Sequence, residues 1–260
     1  MFKNVIVRTP AKSIVNGITS APELGKPDYN KALIQHESYI QALKNCGCQV
    51  EVLPSLENFP DSCFVEDVAV LTERVAIITR PGAETRLHEV DHIKDTLRKY
   101  YEEDCIEEIE SPGTLEGGDV MMVGNHFYVG QSDRTNEEGC KQFIDRLKKY
   151  GHEGTVVKLE EFLHLKTGVN YLENNNLLVS GEFIDNPLFK EFNQHIIPDD
   201  EMYAANCIWV NNTVIVPKGY PKVLSLVKSL GYKTIEVDTS EFRKLDGGLS
   251  CLSLRFEAQK

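Results

Sequence analysis

The sequence has no membrane-length apolar run, no secretory leader, no surplus of basic charge and no cysteine framework, and each absence closes a class of function. No apolar stretch approaches the ~20 residues that a spanning helix needs, so a helical membrane protein is excluded. MFKN passes straight into the strand-like VIVRTP without the apolar core of a secretion signal, so no cleaved leader is expected. Lys and Arg number 28 against 40 Asp and Glu, a formal charge of −12. That balance argues against nucleic acid or an acidic membrane surface as a partner. The cysteines number 7, an odd count without regular spacing, which points to reduced thiols and a cytoplasmic protein. Cys46-Gly47-Cys48 lacks the redox C-x-x-C spacing and reads as a turn. No long linker or low-complexity segment divides the 260 residues, so one domain with a large core is expected over 1–260.

What is present is a pattern that recurs five times: a polar or glycine lead-in, an apolar run, a tight turn and a second apolar run. The copies are FVEDVAVLTERVAIITRP, EGGDVMMVGNHFYVG, KTGVNYLENNNLLVSG, AANCIWVNNTVIVP and, split across the chain ends, DGGLSCLSLRF with FKNVIVRTP. Their apolar runs start at Val68, Val120, Val169, Cys207 and Cys251, roughly 40–50 residues apart, within the range of arrays and propellers. Helix-like segments lie between copies, at 30–45, 84–101, 135–150, 188–192 and 221–230, with Gly47, Gly151 and Gly231 as stop signals. A short strand-like run follows each helix: CQVEVLP, CIEEIE, GTVVKL, QHIIP and KTIEV. The predicted unit is strand, strand, helix, strand. Pairing of the chain-terminal strands would close the units into a ring and remove exposed sheet edges. Residues 11–28 form the longest structureless stretch, either a lid or a surface connection.

If the copies surround an axis, the residues of their lead-ins meet there. Cys251 follows two glycines in DGGLSC and reads either as a nucleophile or as a small packed residue. Cys207 has apolar and small neighbours and reads as packing. His164, between two leucines, is either a proton carrier or a core histidine. Glu116 in LEGGD could orient an imidazole, receive a cation or serve a turn. Asp61, Glu66 and Asp67 crowd into PDSCFVED among apolar residues, which suits a planar guanidinium. Arg86 and Arg134, just beyond the second strands of two copies, could hold a carboxylate or sit on the surface. A cationic amino acid with a free carboxylate fits the whole set. His88-Glu89-Val90-Asp91-His92 matches the zinc-protease pattern H-E-x-x-H. On an α-helix, however, its histidines point away from the stripe of Leu87, Val90, Ile93, Leu97 and Tyr101, and no third ligand follows, so it reads as a solvated face.

DGGLSC, LHLKTG, LEGGD, FPDSCFVED, ITRPGAETR and AANCIWVNN, in that family's order along nearly the whole chain, resemble the dimethylarginine dimethylaminohydrolases, a family of the guanidino-group-modifying superfamily. The resemblance implies an α/β fold, a five-bladed pseudo-symmetric α/β propeller. It implies hydrolysis of asymmetrically N-methylated L-arginine to L-citrulline through a covalent S-alkylthiouronium, with deimination of arginine or another guanidine as the alternative. By that resemblance Cys251 is the nucleophile, His164 the general acid/base and Glu116 its partner. Glu66 and Asp67 hold the guanidinium, and Arg86 and Arg134 the α-carboxylate. Asp61, Ile18 and Leu245 surround the α-amino group, the last two through backbone carbonyls. No metal or organic cofactor is implied. The partner is a small-molecule substrate, and a homodimer is allowed.

Overall fold

A computed structural model describes residues 1–258 of the chain. It contains five three-stranded sheets arranged as the blades of an α/β propeller. In chain order the blades are Leu254–Phe256 with Asn4–Arg8 and Gln49–Leu53, then Ala69–Leu71, Ala76–Ile78 and Ile106–Glu108, then Val120–Val123, His126–Gln131 and Glu153–Lys158. The fourth is Val169–Tyr171, Asn176–Val179 and Asn193–Ile196, and the fifth Ile208–Val210, Thr213–Pro217 and Lys233–Val237. In every blade the first strand pairs antiparallel with the middle one and the third pairs parallel to it.

This topology follows from the connections. A tight turn joins antiparallel neighbours, and Asn211 and Asn212, at φ 49° and 66°, supply the left-handed residues that such a hairpin needs. Parallel neighbours need a crossover, which the segments between second and third strands provide. The longest is the helix Tyr29–Asn45, capped by the Asp28 carboxylate on the Lys31 N–H at 2.9 Å. The blade that joins the chain ends pairs Val5 with Arg255 and Asn4 with Gln49, so the terminal strands do close the ring.

Two expectations need correction. Ring closure does not remove sheet edges, because each blade is a separate sheet with an outer strand open to solvent; Ile196 on one of them is 58% exposed. These strands are short and carry Glu51, Glu107, Glu153 and Lys233, which blunt them against pairing. The second crossover is not an α-helix over 84–101. It is a 3-10 helix over Glu84–His92 followed by one α-turn, Lys94–Leu97. At three residues per turn, positions four apart lie ~120° apart, so His88 and His92 do not share a face. His88 is exposed beside Asp91, and the His92 ring packs edge-on against Phe59. No helix among the described residues is long and apolar enough to cross a membrane.

Candidate active site

Four of the five innermost strands are preceded by one short helical turn that carries chemistry. The turn Val65–Val68 holds Glu66 and Asp67. Gly117–Asp119 begins directly after Glu116, and Leu165–Gly168 directly after His164. Ser250–Leu252 contains Cys251. These turns abut one another around the axis. They bring Cys251, His164, Glu116, Asp67, Asp61, Arg86, Arg134, Ile18 and Leu245 onto one cavity of about 400 Å³. Of the residues to which the resemblance gives a catalytic or substrate-binding role, Glu66 alone does not line it. The fifth blade's Asn206 holds the Ser250–Leu252 turn from the side: its side-chain Oδ1 accepts from the Ser250 N–H at 2.9 Å.

His164 Nε2 and Glu116 Oε2 are 2.7 Å apart, and Glu116 is 1% exposed. Burial works against a charged imidazole, but Asp119, Asp67 and Glu116 outweigh it and raise His164 to about 9. Burial likewise opposes the Glu116 carboxylate, and the hydrogen bond from His164 keeps it low. The ring needs Gly118 beneath it: a Cβ there would sit 2.7 Å from His164 Nδ1. Asp67 accepts from the Gly118 N–H at 2.9 Å and from Arg86 Nη1 at 2.7 Å.

The Cys251 thiol is partly buried and receives the Gly248 N–H at 3.4 Å. Burial first, then the charges of Glu66 and Asp67, push it up to about 12. The free site therefore holds a thiol and an imidazolium at neutral pH. Glu66 lies behind the sulfur. Its Oε1 is paired with Lys166 at 2.5 Å and Arg255 at 3.4 Å, and its Oε2 accepts from Ser250 Oγ at 2.9 Å. It borders a separate cavity lined by innermost-strand residues, among them Val70, Met122 and Trp209.

The two arginines differ in availability. Arg86 is buried and spends most of its donors on Glu89, Asp67 and the carbonyl of Phe64. Glu89, the central glutamate of the zinc-like motif, is thus the buried partner of Arg86. Its i,i+3 spacing from Arg86 was the available signal. Arg134 approaches Glu116 loosely, at 3.6 Å, and lines the cavity. Asp61 accepts from the Ile18 N–H at 3.0 Å. Residues 11–28 are not structureless. They contain the short 3-10 turns Lys12–Asn16 and Pro22–Leu24 and are latched where Ser20 N–H and Oγ donate to Asp246 at 2.6 and 2.8 Å. Asp246 was missed in the sequence because its partner Ser20 lies 226 residues away.

A second cavity of about 330 Å³, lined by Thr167, Tyr203 and Asn206, shares His164 and Cys251 with the first. His164 and Cys251 therefore have open space on two sides. Among the described residues, Asp67, Glu116 and His164 bring three potential metal-ligand atoms within 4.8 Å of one another. Asp67 is hydrogen-bonded to Arg86 and the Gly118 N–H, and Glu116 and His164 to each other.

The family model described as N,N dimethylarginine dimethylhydrolase, eukaryotic, matches residues 23–191. The chain is 58% identical over 256 residues to an N(G),N(G)-dimethylarginine dimethylaminohydrolase of Pseudomonas aeruginosa, covering 98% of this chain and 100% of that one. A solved structure of that bacterium's enzyme, a cysteine-to-serine mutant complexed with citrulline, superposes with a TM-score of 0.97 at 57% identity, over 98% of this chain and 100% of that one. A histidine-to-glycine mutant of dimethylarginine dimethylaminohydrolase, as an adduct with S-methyl-L-thiocitrulline, gives 0.96 at 57% identity with the same coverage.

Proposed function

The chain belongs to the dimethylarginine dimethylaminohydrolase family, and on that premise we propose how its own side chains carry the reaction. The reaction is hydrolysis of asymmetrically N-methylated L-arginine to L-citrulline and dimethylamine, or methylamine from the monomethyl substrate, through a cysteine adduct. The observation that carries this reading is the 2.7 Å His164–Glu116 pair on the same cavity as Cys251, Asp67 and Arg134.

The substrate carboxylate meets Arg134, with Arg86 behind Asp67, and the α-amino group lies near Asp61 and the backbone of Ile18 and Leu245. The guanidinium lies against Asp67, while Glu66 adds its field from behind the sulfur. A bound cation offsets the two carboxylates that hold the thiol up, so the Cys251 proton leaves to solvent as substrate binds. The thiolate attacks the guanidinium carbon. Fixed carboxylates and alignment supply much of the acceleration, because the electrophile's charge is delocalised. The His164 imidazolium protonates the departing dimethylamine as the C–N bond breaks, leaving an S-alkylthiouronium. His164, now neutral, takes a proton from water. The resulting hydroxide adds to the same carbon, the C–S bond breaks, and the proton left on the new oxygen passes to the departing sulfur, so citrulline and the Cys251 thiol are released. The second cavity gives the amine and the water a place beside His164.

A citrulline assay across arginine and its monomethyl, asymmetric dimethyl and symmetric dimethyl derivatives tests the function. Turnover of the asymmetric dimethyl and monomethyl compounds is expected; turnover of arginine alone would assign a deiminase instead. Arg134→Ala should raise KM for methylarginines by roughly 10- to 100-fold, the range for loss of a charge-assisted bidentate contact. A decarboxylated analogue should be little affected, and equal effects on both would remove the carboxylate clamp. Alkylation of the free enzyme at Cys251 by a neutral reagent should keep accelerating from pH 7 to 10, since the thiol is held up to about 12; a plateau below pH 9 would contradict this.

We also propose that residues 1–260 act as one catalytic domain in the cytoplasm. All seven cysteines are free, which supports a reducing compartment.

A further inference from the structure

We propose that Asp119 is a positioning residue of this reaction: its buried carboxylate ties together the backbone segments that carry Glu116, Arg134 and His164, and supplies a fixed negative charge behind the imidazole. The inference rests on His164 being the proton donor. Asp119 is fully buried, and its partners are all donors. The Leu165 N–H, one residue past His164, donates to Oδ1 at 2.9 Å. Ser132 Oγ and Thr135 Oγ1 donate to Oδ2 at 2.7 and 2.6 Å.

The direction of those hydroxyls is set by what they accept. Thr135 Oγ1 receives the Glu116 N–H at 3.1 Å. Ser132 Oγ receives the N–H groups of Arg134 and Thr135 at 3.1 and 3.2 Å. Their protons are thereby aimed at Asp119, an arrangement that only an acceptor satisfies. One carboxylate thus anchors the amide beside the imidazole directly, the amide of its acidic partner through Thr135, and the amide of the carboxylate-binding arginine through Ser132. The packing leaves no slack: a Cβ on Gly130 would stand 2.7 Å from Asp119 Oδ1.

The charge matters as well as the scaffold. Around His164 stand Asp67 from the second blade's turn, Glu116 and Asp119 from the third, and Lys166 two residues along its own turn, with Cys251 across the cavity and Arg134 beyond Glu116. Burial of the ring opposes its charge, and the charges of Asp119 and Asp67, with the hydrogen bond and charge of Glu116, favour it. Burial also pushes the Asp119 carboxyl up, while His164, Thr135, Ser132 and the Leu165 N–H pull it down.

The test is the titration of the His164 imidazole by NMR on the substrate-free protein, in wild type and Asp119→Asn, alongside the pH profile of kcat. The midpoint should fall by about one unit or more on loss of a neighbouring buried charge. The alkaline limb of kcat should move down with it. kcat should drop by roughly 10- to 100-fold with KM nearly unchanged, a part of the ~10²–10⁴ that a positioned acid contributes. A folded Asp119→Asn protein with the wild-type midpoint and profile overturns the proposal. If that variant does not fold, Ser132→Ala with Thr135→Val decides: it cuts the hydroxyl links from Asp119 to the Glu116 and Arg134 amides, so the midpoint must move and kcat fall, and an unchanged midpoint and kcat overturn the proposal. Because the titration is read without turnover, its outcome is separate from whether His164 is the proton donor.

Discussion

Cys251→Ser is expected to end citrulline formation while leaving the fold intact, with kcat falling by about 10⁴-fold or more, as when a covalent nucleophile is removed. The side chain is partly buried on a single turn, Ser250–Leu252, and the loss of one sulfur leaves no large void. The chemistry is less forgiving. Glu66 and Asp67 already hold the thiol proton firmly, and a hydroxyl in the same field gives up its proton far less readily. The bound cation that releases the thiol proton cannot do the same for serine. The variant should still bind methylarginine through Asp67 and Arg134. Near-normal turnover would end the nucleophile assignment.

His164→Gly should lower kcat by roughly 10²–10⁴-fold, the usual worth of a positioned acid–base group, and added imidazole should restore part of it. The deletion opens a space against Glu116, whose Oε2 accepts from the ring at 2.7 Å and would accept from free imidazole in the same place. The sign of the pH dependence follows from the raised pKa. The imidazolium needed for amine departure is present below about 9 and lost above it. Departure of the amine should therefore slow as pH rises through that value. A variant as fast as the parent would remove His164 from proton transfer.

Much of this architecture is written in local patterns. The apolar runs at Val68, Val120, Val169 and Cys207 are innermost strands or their immediate lead-ins because alternating residues and tight turns leave little other choice. The convergence of Glu116, His164 and Cys251 then follows from ring closure alone, since each precedes or opens an innermost strand. The substrate did not follow from spacing; it came from the resemblance of DGGLSC, LEGGD and their neighbours to a known family. What stayed hidden are charges whose partners are distant in sequence. Glu66 reads like Asp67 but turns to Lys166, Arg255 and Ser250, 100, 189 and 184 residues away. Arg86 carries no sign of its burial until Glu89 is seen beside it. The segment 84–101 has helical periodicity, yet tertiary packing draws it into 3-10 geometry, and the apparent zinc motif dissolves with that change of pitch.

The Cys251 sulfur is expected to make the bond to methylarginine. Acid quenching of the enzyme during turnover of asymmetric dimethylarginine, followed by peptide mass spectrometry, tests it most directly. The predicted result is an adduct on the peptide containing Cys251 with the mass of the substrate less dimethylamine, which disappears as citrulline accumulates. Citrulline accumulating with no adduct under quench conditions that trap it in His164→Gly, or an adduct on a different cysteine, would contradict the account.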